Sequence, residues 1–571
     1  MGYGDDGSKK KKMAVLGISS ILLVAAVVGA VTYGISSKNN AETGAPAGGA
    51  SASPSSSTKA VQSICKHVDY KETCENSLAK AGNTSDPKEL VKVAFQVTVD
   101  NLEEVIKNST LLKDAAKDPR TSQALETCKE VLDTAIDDFK RSFARVEEFD
   151  MSKVDEYLAD LKTWLSGAIT YQETCIDAFE NTTGTTGEKM KQLLTTASQL
   201  SSNGLAMVSQ FSEIIGTLNI PGFNRRLMST EALDEQSYPD FVNAKQRKLL
   251  GADPSTLKPN AVIALDGSGT HKTFKDVINT IPKNNSVPFV ILVKAGVYHE
   301  TVMIPRKINN VYIFGEGPEK TKITGNKNYV DGIGTFHTAT VAINGDNCIL
   351  KDIAIENSAG AEKHQAVALR VSGDHAIVFN CRLDGYQDTL YSHNYRQFYR
   401  NTVISGTIDF IFGDAQAVFQ NCTMVVRKPL ENQGCMVTAQ GRNNTRSLGA
   451  IIIQNSTITA EPEFLATNPL PRAYLGRPWK QYSRTLIMQS NIGGFILPEG
   501  WSPWMGTWGL DTLYYGEYLN TGAGAKTDKR VTWKGIQKVT PAIAESFTPG
   551  KYFMGDDWIK ATGFPYQPGM F

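Results

Sequence analysis

Phe379-Asn380-Cys381-Arg382-Leu383, Arg400-Asn401-Thr402-Val403-Ile404, Gln420-Asn421-Cys422-Thr423-Met424 and Gln454-Asn455-Ser456-Thr457-Ile458 are four versions of one short unit. Their Asn residues are separated by 21, 20 and 34 positions. Strand-length apolar runs repeating at such intervals are the mark of a solenoid, in which each repeat stacks on the next. The reading is a parallel β-helix with Asn stacked at successive turns. An antiparallel sandwich is the alternative, but it would carry Asn-Gly hairpin turns, and these are scarce here. The same texture of short β-branched and aromatic runs, such as Phe289–Val293 and Val311–Phe314, fills residues 251–571.

The repeat makes a geometric prediction about chemistry. Asp388 and Asp409 are 21 residues apart, and Gln365 and Gln387 are 22 apart. With coils of that length, each pair falls on adjacent coils, and the carboxylates stand roughly 5 Å apart, the spacing of neighbouring strands. Two carboxylates that close do not both ionise easily, so one holds a proton near neutral pH. A protonated acid beside an ionised nucleophile is the pairing that acyl transfer needs. Two Gln amides nearby can donate to a developing oxyanion. Arg477, in Leu475-Gly476-Arg477-Pro478-Trp479, is placed to keep one Asp ionised, and Trp479, Tyr386, Tyr391 and Trp501 are candidates to stack on sugar rings. No metal-ligand spacing appears: His337, His364, His375 and His393 are scattered. There is no Gly-x-Ser-x-Gly elbow of a serine hydrolase.

Outward from the repeat, residues 60–220 read as an antiparallel α-helical bundle. Asp86-Pro87-Lys88-Glu89 joins an N-cap, a Pro at the first helical position and a Glu three residues on. Leu125, Cys128, Leu132, Ala135, Phe139 and Phe143 keep one face over four turns, and Val154 to Phe179 do the same. Cys128 and Cys175 lie on these stripes, and Cys65 and Cys74 are close in sequence. The expected disulfides are therefore 65–74 and 128–175.

Residues 221–250 form a linker holding Arg225-Arg226 and Arg247-Lys248, paired basic residues that suit a processing protease. At the N-terminus, residues 1–12 end in four Lys. Residues 13–35 then run 23 positions without a charge, long enough to span a bilayer. This reads as a signal anchor, with a cleaved signal peptide as the alternative, and residues 36–59 as a flexible linker. Seven Asn-x-Ser/Thr sequons, at Asn83, Asn108, Asn181, Asn284, Asn421, Asn443 and Asn455, suit the secretory pathway.

The 59 basic and 59 acidic residues give zero net charge, which argues against nucleic acid as a partner. The zero conceals a division: residues 60–224 carry a net −9 and residues 251–571 a net +5. A mildly basic unit suits retention on an anionic polymer, and the acidic helical region opposes it.

At Gly385-Tyr386-Gln387-Asp388-Thr389-Leu390-Tyr391, Asp409-Phe410-Ile411-Phe412-Gly413, Gln365-Ala366-Val367-Ala368-Leu369, Thr438-Ala439-Gln440-Gly441-Arg442 and Leu475-Gly476-Arg477-Pro478-Trp479 the chain resembles the plant pectin methylesterases that carry an inhibitor-like pro-region. The resemblance implies a right-handed parallel β-helix preceded by a four-helix bundle. It implies hydrolysis of the C6 methyl esters of homogalacturonan in the cell wall, without a cofactor or metal. By matched position Asp409 would be the nucleophile, Asp388 the proton donor and base, and Gln387 and Gln365 the oxyanion donors. Arg477 would orient Asp409, and Thr335, Gln365, Arg477 and Trp479 would bind substrate. The implied partners are methyl-esterified pectin, a processing protease of the secretory pathway, inhibitor proteins and, through residues 13–35, a membrane. The pro-region would hold the enzyme inactive until the linker is cut.

The chain departs from the family at Thr402, where a Cys usually pairs with the one matching Cys422. It departs at Asp414, usually Asn, where an added carboxylate five residues from Asp409 would shift the pH optimum. It departs again at Met228, usually Leu, which favours cleavage at the second dibasic site, ending at Leu250. The competing functions are a polygalacturonase-like glycosidase, which also uses paired carboxylates, and a non-catalytic pectin-binding or inhibitor protein.

Overall fold

A computed structural model describes residues 55–115, 117–147, 153–217 and 258–571. The basic tail, the apolar segment 13–35, most of the 36–59 linker and the dibasic sites at Arg225, Arg226, Arg247 and Lys248 lie outside the described residues. Among those described, no helix is long and apolar enough to cross a membrane.

Residues 261–537 wind into a parallel β-helix whose three faces are sheets of eleven, seven and eight strands, every paired strand running parallel. The four Asn units set its rungs. On the eleven-stranded face, Ala376 pairs with Gln397, Arg396 with Gln416 and Gln416 with Ala450, the same steps of 21, 20 and 34. Asn380, Asn401, Asn421 and Asn455 stand at equivalent corners with φ of 50°, 51°, 52° and 47°. One left-handed residue turns the chain from one sheet to the next, and Asn is the side-chain-bearing residue that tolerates this conformation best. The Asn455 amide also donates to the Asn421 side-chain oxygen at 2.8 Å.

The residue after each Asn points inward. Cys381, Thr402, Cys422 and Ser456 are all buried, and the chain satisfies the corner amides there with side chains. The Ser456 hydroxyl accepts from the Cys422 N–H at 3.1 Å, and the Ser490 hydroxyl accepts from the Ser456 N–H at 3.1 Å. Cys422 is a free thiol. Thr402 sits beside it in register on the adjacent rung, within the Cα separation that a disulfide accepts. Thr402→Cys is therefore expected to close a bridge to Cys422. The constrained loop is worth about 3 kcal/mol, less about 1 kcal/mol for the lost hydroxyl bonds. A higher melting temperature under oxidising conditions that reductant abolishes would show it.

Inside the coil, side chains stack rung on rung: Val378, Tyr399, Phe419 and Ile453 from one face, Leu369, Leu390 and Ile411 from another. The outward residues of the eleven-stranded face, among them Ile377, Phe398, Val418 and Ile452, pack under C-terminal Phe547, Trp558 and Phe564.

Two short helices, α1 (Ser56–Ile64) and α2 (Lys71–Leu78), precede four long ones: α3 (Pro87–Ala115), α4 (Pro119–Glu147), α5 (Val154–Asp177) and α6 (Thr186–Thr217). The Asp86 carboxylate accepts the Lys88 N–H at 2.9 Å, capping α3 where the sequence signals it. Disulfides join Cys65 to Cys74 and Cys128 to Cys175. Apolar faces of α3–α6 make the bundle core, and that core continues into the outward face of the seven-stranded sheet through Ala342, Tyr391, Phe412 and Ala439, and onto Tyr395 at the neighbouring corner. The bundle is thus seated on one face of the coil.

Candidate active site

The face beneath the bundle carries the candidate residues. Strands Leu390–Ser392 and Ile411–Gly413 pair with Leu390 opposite Ile411, so Asp388 lies level with Asp409 on the neighbouring rung. The Asp388 N–H donates to the Ile408 carbonyl at 3.0 Å. Both Asp residues are left-handed, with φ of 64° and 53°. Each starts its strand from a corner, a conformation of the kind that clusters at functional sites.

Arg477 follows strand Ala473–Gly476, two rungs further on. Its fork donates to both oxygens of Asp409, Nε at 2.8 Å and a terminal nitrogen at 2.6 Å. The guanidinium stacks on Trp504 at 4.2 Å. Asp388 is 8% exposed and Asp409 4%. Burial pushes both carboxyls up. The Arg477 charge draws Asp409 back down, whereas the Asp409 charge drives Asp388 further, well above the ordinary range. These pulls favour the proton on Asp388 and the charge on Asp409, the carboxyl that Arg477 forks. The arrangement offers an acid and an oriented anion side by side.

Gln365, Gln387, Thr335 and Trp479 line the same cavity as the two carboxyls and Arg477. The expected equivalence of Gln365 and Gln387 needs correction. The register here is 21 residues, so Gln387 lies level with Ala366, to whose N–H its carbonyl bonds at 3.2 Å, and Gln365 is one residue out of step. Trp501 is no sugar platform: it is buried against Tyr515, ring centroids 4.4 Å apart. Tyr386 is held under Arg427, which stacks on it at 4.0 Å. Tyr391 does line the cavity, together with Phe336, Phe412 and Trp504, which sequence reasoning missed. Phe412 had a signal, for it alternates with inward Ile411 on the strand that follows Asp409. Trp504 had none, since only the loop path after Trp501 brings it near Arg477. Among the described residues no group of three or more His, Cys, Asp or Glu side chains is arranged to hold a metal.

Asp414 lies away from this cavity. It accepts from the Thr170 hydroxyl of α5 at 2.8 Å and from the Gln440 amide at 2.9 Å. Burial pushes it up to about 6. Its folded value exceeds the unfolded one, near 3.9, so its stabilisation is complete at low pH and is lost as pH rises through about 6. Asp414→Asn is expected to leave the melting temperature nearly unchanged at pH 4 and raise it at pH 7.5. The gain is up to about 3 kcal/mol. Thermal scans at the two pH values check it.

The helical wall comes from α4 and α5. Gln123 accepts the Gly334 N–H at 2.7 Å, Thr127 meets His337 at 3.0 Å, and Thr174 meets His393 at 2.8 Å. Lys480 pairs with Asp177. Two buried charge clusters lie further along. Asp138 of α4 accepts from Tyr395 at 2.6 Å and from Arg306 at 2.7 Å and pairs with Arg141 at 2.7 Å, and Asp160 of α5 pairs with Arg396 at 2.9 Å.

Comparison with known proteins places the chain. The Pectinesterase family model matches residues 260–556, and the plant invertase/pectin methylesterase inhibitor model matches residues 59–207. A pectinesterase/pectinesterase inhibitor of Arabidopsis thaliana is 48% identical over 573 residues, covering 100% of this chain and 76% of that one. A pectinesterase of Petunia integrifolia is 52% identical over 384 residues, 67% of this chain and 99% of its own. The solved pectin methylesterase from carrot is 48% identical, with a TM-score of 0.55, covering 55% of this chain and 99% of that one. The chain belongs to the pectinesterase family and carries, ahead of its β-helix, a domain of the plant invertase/pectin methylesterase inhibitor family.

Proposed function

We propose that Asp409 and Asp388 carry out the hydrolysis of C6 methyl esters of homogalacturonan in the cell wall. The reading rests on two in-register carboxyls, one forked by Arg477 and the other held protonated. Asp409 attacks the ester carbon, and the Gln365 and Gln387 amides stabilise the oxyanion. The bond to methoxide breaks, and Asp388 gives its proton to departing methanol. Asp388 then takes a proton from water, whose oxygen attacks the acyl carbon and releases Asp409 as a carboxylate. The net change is ester plus water to acid plus methanol. Thr335 and Trp479 hold the sugar chain, and no cofactor takes part.

The bundle over the cavity acts as an autoinhibitory pro-region, removed when a protease of the secretory pathway cuts at Arg225-Arg226 or Arg247-Lys248. Residues 13–35 would direct the chain into that pathway, and the sequons would be glycosylated there. Methanol release from methylated pectin with no fall in polymer length supports the esterase. Chain shortening without methanol would mean a glycosidase, and neither would mean a binding protein.

A further inference from the structure

Lys480 follows Trp479 in the loop that carries Arg477. Two bonds fix the turn: the Ser483 N–H donates to the Lys480 carbonyl at 3.1 Å, and the Tyr482 N–H to the Arg442 carbonyl at 3.0 Å. The Trp479 ring lies on Gly441, where a Cβ would meet it at 2.7 Å. The Lys480 ammonium stands 5.2 Å from the centroid of that ring. A flat apolar platform and a cation are thus set side by side, within three residues of the fork on Asp409.

The ammonium is answered from across the seam. Among the described residues its ion pairs are with Asp177 and, at 3.8 Å, with Glu173, both of α5. Arg396, by contrast, meets Asp160 of the bundle and also Asp374 of its own coil, the latter at 2.6 Å. A cation that served only to seat the helices could stand anywhere along the seam. Lys480 stands at the cavity edge, since Trp479 and Asp177 both line that cavity. Without the helices it is a coil cation with no ion-pair partner in the coil, beside the ring that holds the sugar chain. The group that Asp177 and Glu173 present to it, a carboxylate, is the group that a de-esterified galacturonate ring carries.

We propose that Lys480 is a subsite for a free carboxylate: it binds a de-esterified ring of the polymer while a methyl-esterified ring of the same chain meets Asp409. The assignment rests on the esterase reading and adds a preference to it. The ring under attack is a neutral ester, so the charge that Lys480 recognises sits on another ring. Hydrogen bonds from a cation to a carboxylate are about twice as strong as neutral ones. A partly de-esterified chain therefore binds better than a fully esterified one.

The test is made on residues 251–571, the coil without its helices. The coil stands alone: its core holds no residue of the bundle, and the carrot enzyme is covered to 99% by 55% of this chain. Two pectins of equal length serve as substrates, one fully methylated and one partly de-esterified, and methanol release gives kcat/KM on each. The parent is expected to favour the partly de-esterified pectin about tenfold, a preference that added salt erodes. Lys480→Gln is expected to treat the two alike, through KM and not kcat, while it keeps the parent's rate on the fully methylated one. Lys480→Arg keeps the preference to within about threefold, since the charge remains. Lys275→Gln removes the same charge from the exposed face of the short helix Phe274–Ile278, beside the first strand of the coil, and keeps the parent's preference.

Lys480→Gln with the parent's preference intact would overturn the proposal. So would an equal fall on both pectins, or an equal loss of preference in Lys275→Gln. Methanol from no form on either pectin would instead sink the esterase reading.

Discussion

Asp409→Asn is expected to lower methanol release from methylated pectin by about 10⁴-fold or more, with the fold retained. The amide keeps the shape of the carboxyl but cannot form the acyl bond, and loss of a covalent nucleophile costs roughly 10⁴–10⁶ in rate. The Arg477 fork, now bonded to both oxygens of Asp409, keeps one acceptor, and water reaches the partly exposed guanidinium. The structural penalty is therefore small beside the kinetic one. A second signature separates the chemistry from mere damage. The parent activity should be bell-shaped in pH, falling on the acid side as Asp409 takes a proton and on the alkaline side as Asp388 loses the one its burial retains. Asp388→Asn should remove the alkaline limb along with most of the rate. A rate unchanged by Asp409→Asn in well-folded protein would refute the assignment.

Asp138→Ala is the second large effect, expected to raise pectin turnover by the uncut chain about 100-fold or more. Asp138 is fully buried where the bundle meets the coil, and it answers Tyr395, Arg306 and Arg141 at once. Removing one partner of such a buried set leaves the others unpaired and costs about 3–5 kcal/mol, a factor of about 10² to 5 × 10³. The penalty falls on the docked form, because in the released form Arg306 and Tyr395 are free to meet water. Gly167→Ala should move turnover in the same direction by crowding Tyr395. Pectin assays on uncut protein, paired with thermal scans that show both domains folded, check the pair. Unchanged turnover in both variants would mean that the bundle does not restrain the enzyme.

The two domains differ in how they can be read from sequence. The coil was legible because its rungs repeat one local event, a left-handed Asn between two short strands, and local events leave local signatures. From the Asn steps of 21 and 20 follows the register, and from the register the alignment of Asp388 with Asp409. The disulfides of the bundle were legible for the same reason, since Cys128 and Cys175 sit on apolar stripes. The Gln pair shows the limit of that method: a spacing one residue too long keeps Gln365 in the cavity but out of step with Gln387.

What joins the two domains was not legible at all. His337 and His393 look scattered in the chain, yet each meets a Thr of the bundle. Asp414 looks like a neighbour of Asp409, yet it answers Thr170 and Gln440 outside the cavity. Such contacts join residues more than 200 positions apart, and no periodicity links them. Residue order alone determined the coil, the bundle and the pairing of the carboxyls, because these follow from short-range conformation and a fixed strand spacing. Which face of the coil the bundle covers, and how much room it leaves above Asp409, was decided only by the tertiary structure, because complementary surfaces arise from side chains that the sequence keeps far apart.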